Sequence, residues 1–410
     1  MKYVIIGNST AAVNAIEAIR EIDREGSITV LSDEKHFSYG RPLISYYLYG
    51  KISLENMNYK GLDFYEKNDV TTLLGVTAVK IDSDKKTVLL EDGREIEYDK
   101  LLVATGSRPF VPPMAGLEKV KEKYSFMKLD DALSLEKALG KDKNVLIIGA
   151  GLIGLKCLEG ILDRVGKVTV VDMANRVLPS ILDEEGSLII QKQLEEKGVT
   201  FILNDSVAEF TCGAQALLKS GKTLNFDILV LAVGVRANIE LVKDAGGECE
   251  RGILTDESQK TSLPDIYAAG DCAASLDSLT NTKKVLALLP NAALQGRTAG
   301  HNMAGKEETF TQGIPMNAIG FFGSHVMTAG YYEGEVYEEK TSSTYKKLFY
   351  RDNLLKGFII IGDIARAGIY TSLIRNKTPL DSIDFELIKK QPVLAAFAKE
   401  ARAKKLTERV

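Results

Sequence analysis

Apolar residues in this chain fall in short runs that break at glycine. Val4, Ile5 and Ile6 form one run, and Gly7 ends it. The stretch from Ser9 to Ile22 then places Ala12, Ile16, Ile19 and Ile22 at helical spacing. Residues 27–31 (SITVL) return to a compact apolar pattern, followed by Asp33 and Glu34. Strand, glycine turn, helix, strand and acid is the order of a βαβ unit whose turn takes a dinucleotide. The pattern recurs farther along. Residues 145–148 (VLII) end at Gly149, a helical stretch follows, and KVTVVD closes on Asp172.

The turn chemistry differs between the copies. Backbone N–H groups must approach a pyrophosphate at the start of the helix, where the helix dipole favours negative charge. Gly149, Gly151 and Gly154 have the full G-x-G-x-x-G spacing, with Leu152 and Ile153 opening the helix. The first copy keeps Gly7 but has Ser9 at the second glycine and Ala12 at the third, with Thr10 and Ala11 between them. Ser9 is small and carries a hydroxyl that can donate to phosphate, so the site is weakened as a signature without being lost. Asp172 can accept hydrogen bonds from ribose hydroxyls and repels a 2′-phosphate. This favours NADH over NADPH, while Arg176, four residues on, is a cation suited to NADPH. Two such sites imply two dinucleotides, most simply a tightly held flavin and an exchangeable nicotinamide.

Length and charge narrow the class. A chain of 410 residues implies two or three domains. Its 52 basic and 56 acidic residues leave a net charge of −4, against a surface built to coat nucleic acid. No apolar run has the length of a membrane span, and the N-terminal residues lack a leader pattern. The four cysteines, Cys157, Cys212, Cys249 and Cys272, form no C-x-x-C pair. An iron–sulfur site, a zinc site or a disulfide framework is therefore not expected. No metal is expected, and the expected compartment is the cytoplasm.

Two further motifs carry a family resemblance. LLVATGSRP (101–109) and LPDIYAAGDCA (263–273), in order with the two glycine turns, resemble the pyridine nucleotide-disulfide oxidoreductase superfamily of two-dinucleotide flavoproteins. The resemblance implies an α/β fold with two Rossmann-like domains of the glutathione-reductase type and a C-terminal α+β domain. It implies an FAD domain from residues 1–107 and 235–312, an NAD domain at 108–234 and a third domain at 313–410. It implies that Ala104, Thr105 and Gly106 return the chain to FAD, with Arg108 beside them. Gly270 and Asp271 match the pair that meets a phosphate and the flavin's ribityl chain. Val79 matches a residue whose backbone pairs with adenine, and Gly234 lies in the second crossover, LAVGVRAN.

The stretch HFSYGRPLISYY (36–47) has no cysteine where disulfide reductases and cysteine-dependent peroxide or oxygen reductases keep theirs. With Arg41 and Pro42 it resembles the NADH-dependent reductases of small electron-transfer proteins: rubredoxin reductases, ferredoxin reductases of oxygenase systems and the flavin part of nitrite reductases. In that branch Arg41, Asp33 and Glu34 would contact FAD. The implied activity is transfer of electrons from NADH through FAD to rubredoxin, ferredoxin or a redox partner subunit. A peroxide-forming NADH oxidase and an association-switching flavoprotein stand as alternatives. No side chain is assigned a catalytic role. Two departures stand out. Tyr46 replaces a common Lys, and Lys156 stands where relatives place Glu, with Glu159 one helical turn on. Lys156 and Glu159 read either as a solvent-facing pair or as charge near the flavin. Residues 314–330 read as strands in which Phe321 and Phe322 either pack the core or approach the flavin rim. Residues 356–374 read as a strand and helix, and Asp381–Val410 as a helical, basic tail.

Overall fold

The structure is a computed structural model describing residues 1–398. Two compact units divide it. One contains residues 1–173 and 199–313, the other residues 174–198 and the chain from Ile314 onward. The first unit takes in most of the expected FAD and NAD domains together, and residues 174–198, from the expected NAD domain, pack with the C-terminal unit.

The elements that build the first unit's sites are β1 (Lys2–Ile6), α1 (Thr10–Ile22), β2 (Ser27–Ser32), α2 (Leu43–Leu48), β3 (Val70–Leu74), β4 (Ala78–Asp82) and β5 (Lys100–Val103). Farther along come β6 (Asn144–Ile148), α3 (Leu152–Ile161), β7 (Lys167–Val171), β8 (Thr200–Ile202), β9 (Ile228–Leu231), β10 (Ile266–Ala268) and α4 (Leu289–Met303). The first sheet has the order β10–β5–β1–β2–β3, parallel throughout. Its central strands are covered on both faces, so they read as unbroken apolar runs instead of alternating ones. Helix α1 buries Ala12, Ile16 and Ile19. Ile22, the last residue of the helix, is exposed. Across α1 lies α4, where a Cβ on Gly296 would stand 2.1 Å from the Ala11 carbonyl oxygen. The two backbones touch there, and no larger residue fits.

The second sheet repeats the plan, with β8–β7–β6–β9 continued by Lys123–Tyr124, again parallel. The chain crosses between the two sheets through Ser107–Pro109 and Val235–Ala237, which pair antiparallel. This is the crossover that ATGSRP and LAVGVRAN suggested.

The other unit is built on a five-stranded antiparallel sheet. Its order is Met316–Phe321, Ser324–Gly330, Leu354–Ile361, Tyr345–Arg351, Glu335–Lys340. Helix Gly368–Arg375 buries Tyr370, Leu373 and Ile374. Helix Glu184–Glu195 belongs here through Asp183. That carboxylate accepts the Gly186 N–H (3.0 Å), the Tyr345 hydroxyl (2.7 Å) and the Lys347 ammonium (2.9 Å). In the expected helical tail, only Phe385–Lys390 is α-helical among the described residues, and 399–410 lie outside them. Among the described residues no helix is long and apolar enough to cross a membrane.

Candidate functional site

A cleft of about 600 Å³ opens at the carboxyl ends of the first sheet's strands. That volume is in the range of small-molecule sites, and the location is where ligands bind open α/β sheets. Strand β1 ends in Gly7, whose φ of +113° favours glycine, and a Cβ there would lie 2.1 Å from the Ala104 oxygen. The chain then enters α1 through Ser9, extended at φ −123°, whose hydroxyl makes no cap bond to the helix. Ser9, Thr10 and Ala11 line the cleft at the start of α1, where the first N–H groups of the helix have no intrahelical acceptor.

The end of β2 supplies Ser32, Asp33 and Glu34. Glu34 is buried and accepts the Tyr39 hydroxyl (2.6 Å) and the Arg41 guanidinium (2.7 Å). Arg41 also donates to the Met127 carbonyl (3.1 Å). The cation is therefore fixed before any ligand arrives. Asp33 pairs with Lys128 (2.6 Å), which lines the cleft beside it. Pro42 precedes α2 and is not among the cleft-lining residues. Val79 lines the cleft and is skipped in its ladder. Ala78 pairs with Leu90 and Lys80 with Leu89, so a bulge leaves Val79 without a cross-strand partner.

The opposite wall is Ala104, Thr105, Gly106 and Arg108 with Gly270 and Asp271. Thr105 and Asn238 exchange hydrogen bonds of 2.9 and 2.8 Å across the crossover. Arg108 is engaged by Asn238 (2.8 Å) and by both Glu240 oxygens (2.9 and 2.5 Å). Burial pushes the Asp271 carboxyl up, opposed by the Arg41 charge and the Ser107 hydroxyl. The start of α4 closes the wall with Leu289 and Ala292. All fourteen first-site residues other than Pro42 line this cleft, from the segments named above. Sequence reasoning missed Asn8, His36, Tyr39, Lys128 and Asn238, which also line it. Asn8 adjoins Gly7 and Tyr39 precedes Arg41 by two, so both stood beside residues already singled out.

The second turn copies the first. Gly149 has φ +114°, and a Cβ there would lie 2.2 Å from the Ala232 oxygen. Gly151 precedes α3 in extended conformation, followed by Leu152 and Ile153. A Cβ on Gly154 would lie 2.0 Å from the Gly149 oxygen, so α3 packs hard on its own turn. Asp172 accepts the Ala150 N–H at 2.6 Å, bracing the loop from the end of β7. Gly234 has φ +119° and its carbonyl accepts the Phe110 N–H. None of these residues lines the first cleft. Arg176 donates within its own loop to Asn175 (3.1 Å) and toward the Leu182 carbonyl (3.4 Å).

Lys156 and Glu159 correct the solvent-facing reading. Their side chains are only 17% and 3% exposed, they form an ion pair, and the Lys156 ammonium lies 4.5 Å from the Tyr46 ring centroid. Helix α2 covers them, which sequence spacing alone does not reveal. Cys157 and Cys272 are fully buried, and burial pushes both thiols up. Phe321 is buried, while Phe322 sits in the hairpin turn at φ +48° with Lys197 5.1 Å from its ring centroid.

Comparison with known proteins agrees with this geometry. The family model described as pyridine nucleotide-disulphide oxidoreductase matches residues 1–296, and that of the rubredoxin NAD+ reductase C-terminal domain matches 315–378. The chain is 32% identical to the NADH-dependent phenylglyoxylate dehydrogenase subunit epsilon of Aromatoleum evansii, covering 92% of each. It is 31% identical to the assimilatory nitrate reductase electron transfer subunit of Bacillus subtilis, over 95% of this chain but 50% of that one, so it spans about half the length of that relative. The structure of a covalent putidaredoxin reductase–putidaredoxin complex matches with a TM-score of 0.88 and 25% identity, over 96% of this chain and 98% of that one. The cofactors are FAD and NADH. The chain belongs to the pyridine nucleotide-disulphide oxidoreductase family.

Proposed function

We propose that the first cleft holds FAD, that the turn at Gly149 holds NADH, and that electrons leave to a small external electron-transfer protein such as rubredoxin. The observation that carries this reading is the paired glycine turn. Two loops of nearly the same shape occur in one unit, but only the first adds buried Glu34 and half-buried Arg41 and Asp271 around a cleft. A resident cofactor needs that many-sided grip, and an exchangeable one does not. The chemistry that FAD would supply when held there is uptake of hydride from NADH and release of the electrons one at a time.

The chain's own residues bind and orient. Gly7, Ser9, Thr10 and Ala11 present N–H groups and a hydroxyl to the pyrophosphate, and Arg41 adds a fixed positive charge. Asp33 and Val79 stand at the adenosine end. Asp271 and Gly270 stand at the ribityl end, beside Ala104–Gly106 and Arg108. At the second turn, Gly151, Leu152 and Ile153 open the helix toward pyrophosphate, and Asp172 takes the ribose hydroxyls of NADH in preference to NADPH. The buried thiols Cys157 and Cys272 are raised, and a thiolate is the form that exchanges electrons with flavin. Electrons therefore pass outward and not to a chain disulfide. The cytoplasm, where NADH and reduced thiols coexist, suits a chain whose four cysteines are all free.

A second reading keeps the same site but makes the chain the electron-input subunit of a larger enzyme. The 92% mutual coverage with a named dehydrogenase subunit favours it. Anaerobic titration with NADH, followed by oxidised rubredoxin, separates the two. Bleaching of rubredoxin at catalytic rates supports the carrier reductase. Flavin reduction without bleaching supports the subunit reading, and a flavin that NADH leaves oxidised refutes both.

A further inference from the structure

Behind the cleft wall lies Gln295, on α4 one turn beyond the cleft-lining Ala292. Its side chain is completely buried. The amide oxygen accepts the Gly270 N–H at 2.7 Å, which fixes which end of the amide is which. The amide nitrogen, with two N–H donors, has no hydrogen-bond partner. Buried amides in folded proteins nearly always find partners, so this donor marks a place where an acceptor arrives.

The side chain has little room to turn away. The next residue, Gly296, lies against the Ala11 carbonyl so closely that a Cβ would stand 2.1 Å from its oxygen. On the other side, Gly270 has φ +83°, and a Cβ there would meet Ala11 and Ala292 at 3.3 and 3.8 Å. Helix α1, helix α4 and the Gly270–Asp271 turn therefore converge on this amide. Gln259 is also buried with an unpartnered amide nitrogen. Its oxygen takes the Ser275 hydroxyl (2.8 Å) in a polar group with Thr255, none of whose members lines the cleft. Gln295 differs in gripping a residue that does.

We propose that Gln295 is a positioning residue for the bound flavin dinucleotide. Its oxygen sets the Gly270–Asp271 turn, and its nitrogen donates to an acceptor that comes with the dinucleotide, either a cofactor oxygen or a water held by one. The proposal rests on the assignment of this cleft to FAD. An unpartnered buried donor is costly and a bound dinucleotide supplies its acceptor, so Gln295 contributes to FAD affinity more than to the stability of the unloaded chain.

The test compares flavin binding with unloaded stability in the full chain, stripped of flavin and reloaded. Gln295→Leu removes both ends of the amide. The expected result is FAD binding weakened by about tenfold or more, the size of one lost hydrogen bond to a buried donor. The melting temperature of the stripped protein should fall less than that of the loaded protein. FAD affinity within twofold of wild type, or equal loss of melting temperature in both forms, overturns the proposal. If Gln295→Leu does not fold, Gln295→Glu replaces it. A buried neutral Glu keeps an acceptor for Gly270 and an O–H donor for the incoming group, and loses the donor on ionising. Its FAD affinity should approach wild type at pH 5.5 and fall as pH rises, relative to the wild-type profile. An unchanged ratio across that range overturns the proposal. Wild-type protein that takes up no FAD refutes the cleft assignment itself, whereas unaffected variants of a flavin-binding wild type refute only the role of Gln295.

Discussion

The two glycine turns start alike and part company five residues later. At Gly7 and Gly149 the φ values are +113° and +114°, and the nearest carbonyl would lie 2.1 and 2.2 Å from an added Cβ. At the next key position neither backbone demands glycine. Ser9 has φ −123°, Gly151 has φ −81°, and a Cβ on Gly151 would meet nothing within 4 Å. At the third position the turns differ. Helix α1 carries Ala12, fully buried, whereas Gly154 on α3 has no room for a methyl. The first glycine is thus required by the fold, the second only by how closely a ligand comes, and the third by how tightly each helix sits on its turn. This explains why the missing second glycine leaves the first site intact.

The comparison breaks first if the leading glycines are not equivalent. Gly7→Ala and Gly149→Ala each combine a left-handed φ with a backbone clash and should cost about 3 kcal/mol or more. Gly7→Ala should yield flavin-poor protein. Gly149→Ala should retain flavin that NADH reduces at least 100-fold more slowly in stopped-flow absorbance. Next, Gly154→Ala should weaken NADH by at least tenfold with flavin content unchanged, because the added methyl meets the Gly149 carbonyl. The reciprocal Ala12→Gly should cost about 1 kcal/mol in melting experiments, the helical penalty of glycine, and still bind FAD. Equal effects of the two swaps would remove the difference in helix seating. Asp172→Asn should raise the KM for NADH about tenfold, from loss of a charged acceptor for the Ala150 N–H and the ribose. It should also narrow the preference over NADPH.

A smaller effect comes from the far end of α1. Hydrogen bonds from Arg297 and His301 hold the Glu21 carboxyl down at about 2. A depressed carboxylate gives stability that is complete above its unfolded value near 4.5 and is lost as pH falls toward 2. Glu21→Gln should therefore lower the melting temperature at pH 6 and converge with wild type near pH 2. The loss is modest, because the group is 44% exposed and solvent screens it. The smallest change is Ser9→Gly, expected to alter FAD affinity by no more than about twofold, measured by fluorescence titration. A large tightening would mean that Ser9 obstructs the pyrophosphate.

Much of this was legible because buried parallel strands write themselves as unbroken apolar runs. VIIG and LIIG located both turns, and Asp172 was found at the end of its strand. The cleft's other walls were readable only through the ATG and GD segments, which lie far apart in sequence and carry no periodic signal of their own. What stayed hidden depends on neighbours brought by folding. Lys156 and Glu159 share a helical face by spacing, but their burial comes from α2, more than a hundred residues earlier. The Val79 bulge depends on the register against Leu89 and Leu90, and hydrophobic alternation through AVKID does not reveal a skipped pairing. Residues 174–198 continue the second βαβ pattern in sequence, yet Asp183 ties them to Tyr345 and Lys347.

The packing of α4 on α1 also sets a schedule. The first sheet is finished by β10, and α1 is covered by α4, both from the far side of the second sheet in sequence. A ribosome adding roughly 5–20 residues per second would need on the order of 15–55 s between the end of α1 and the end of α4. The second sheet, drawn from a single continuous stretch of chain, is complete well before that. The nascent chain therefore exposes the apolar side of α1 while the later-translated sheet closes, and the cleft acquires Gly270, Asp271 and Ala292 only near the end. A chain cut between the end of the second sheet at Leu231 and the end of α4 at Met303 therefore has one sheet complete and the first cleft without its full α4 wall.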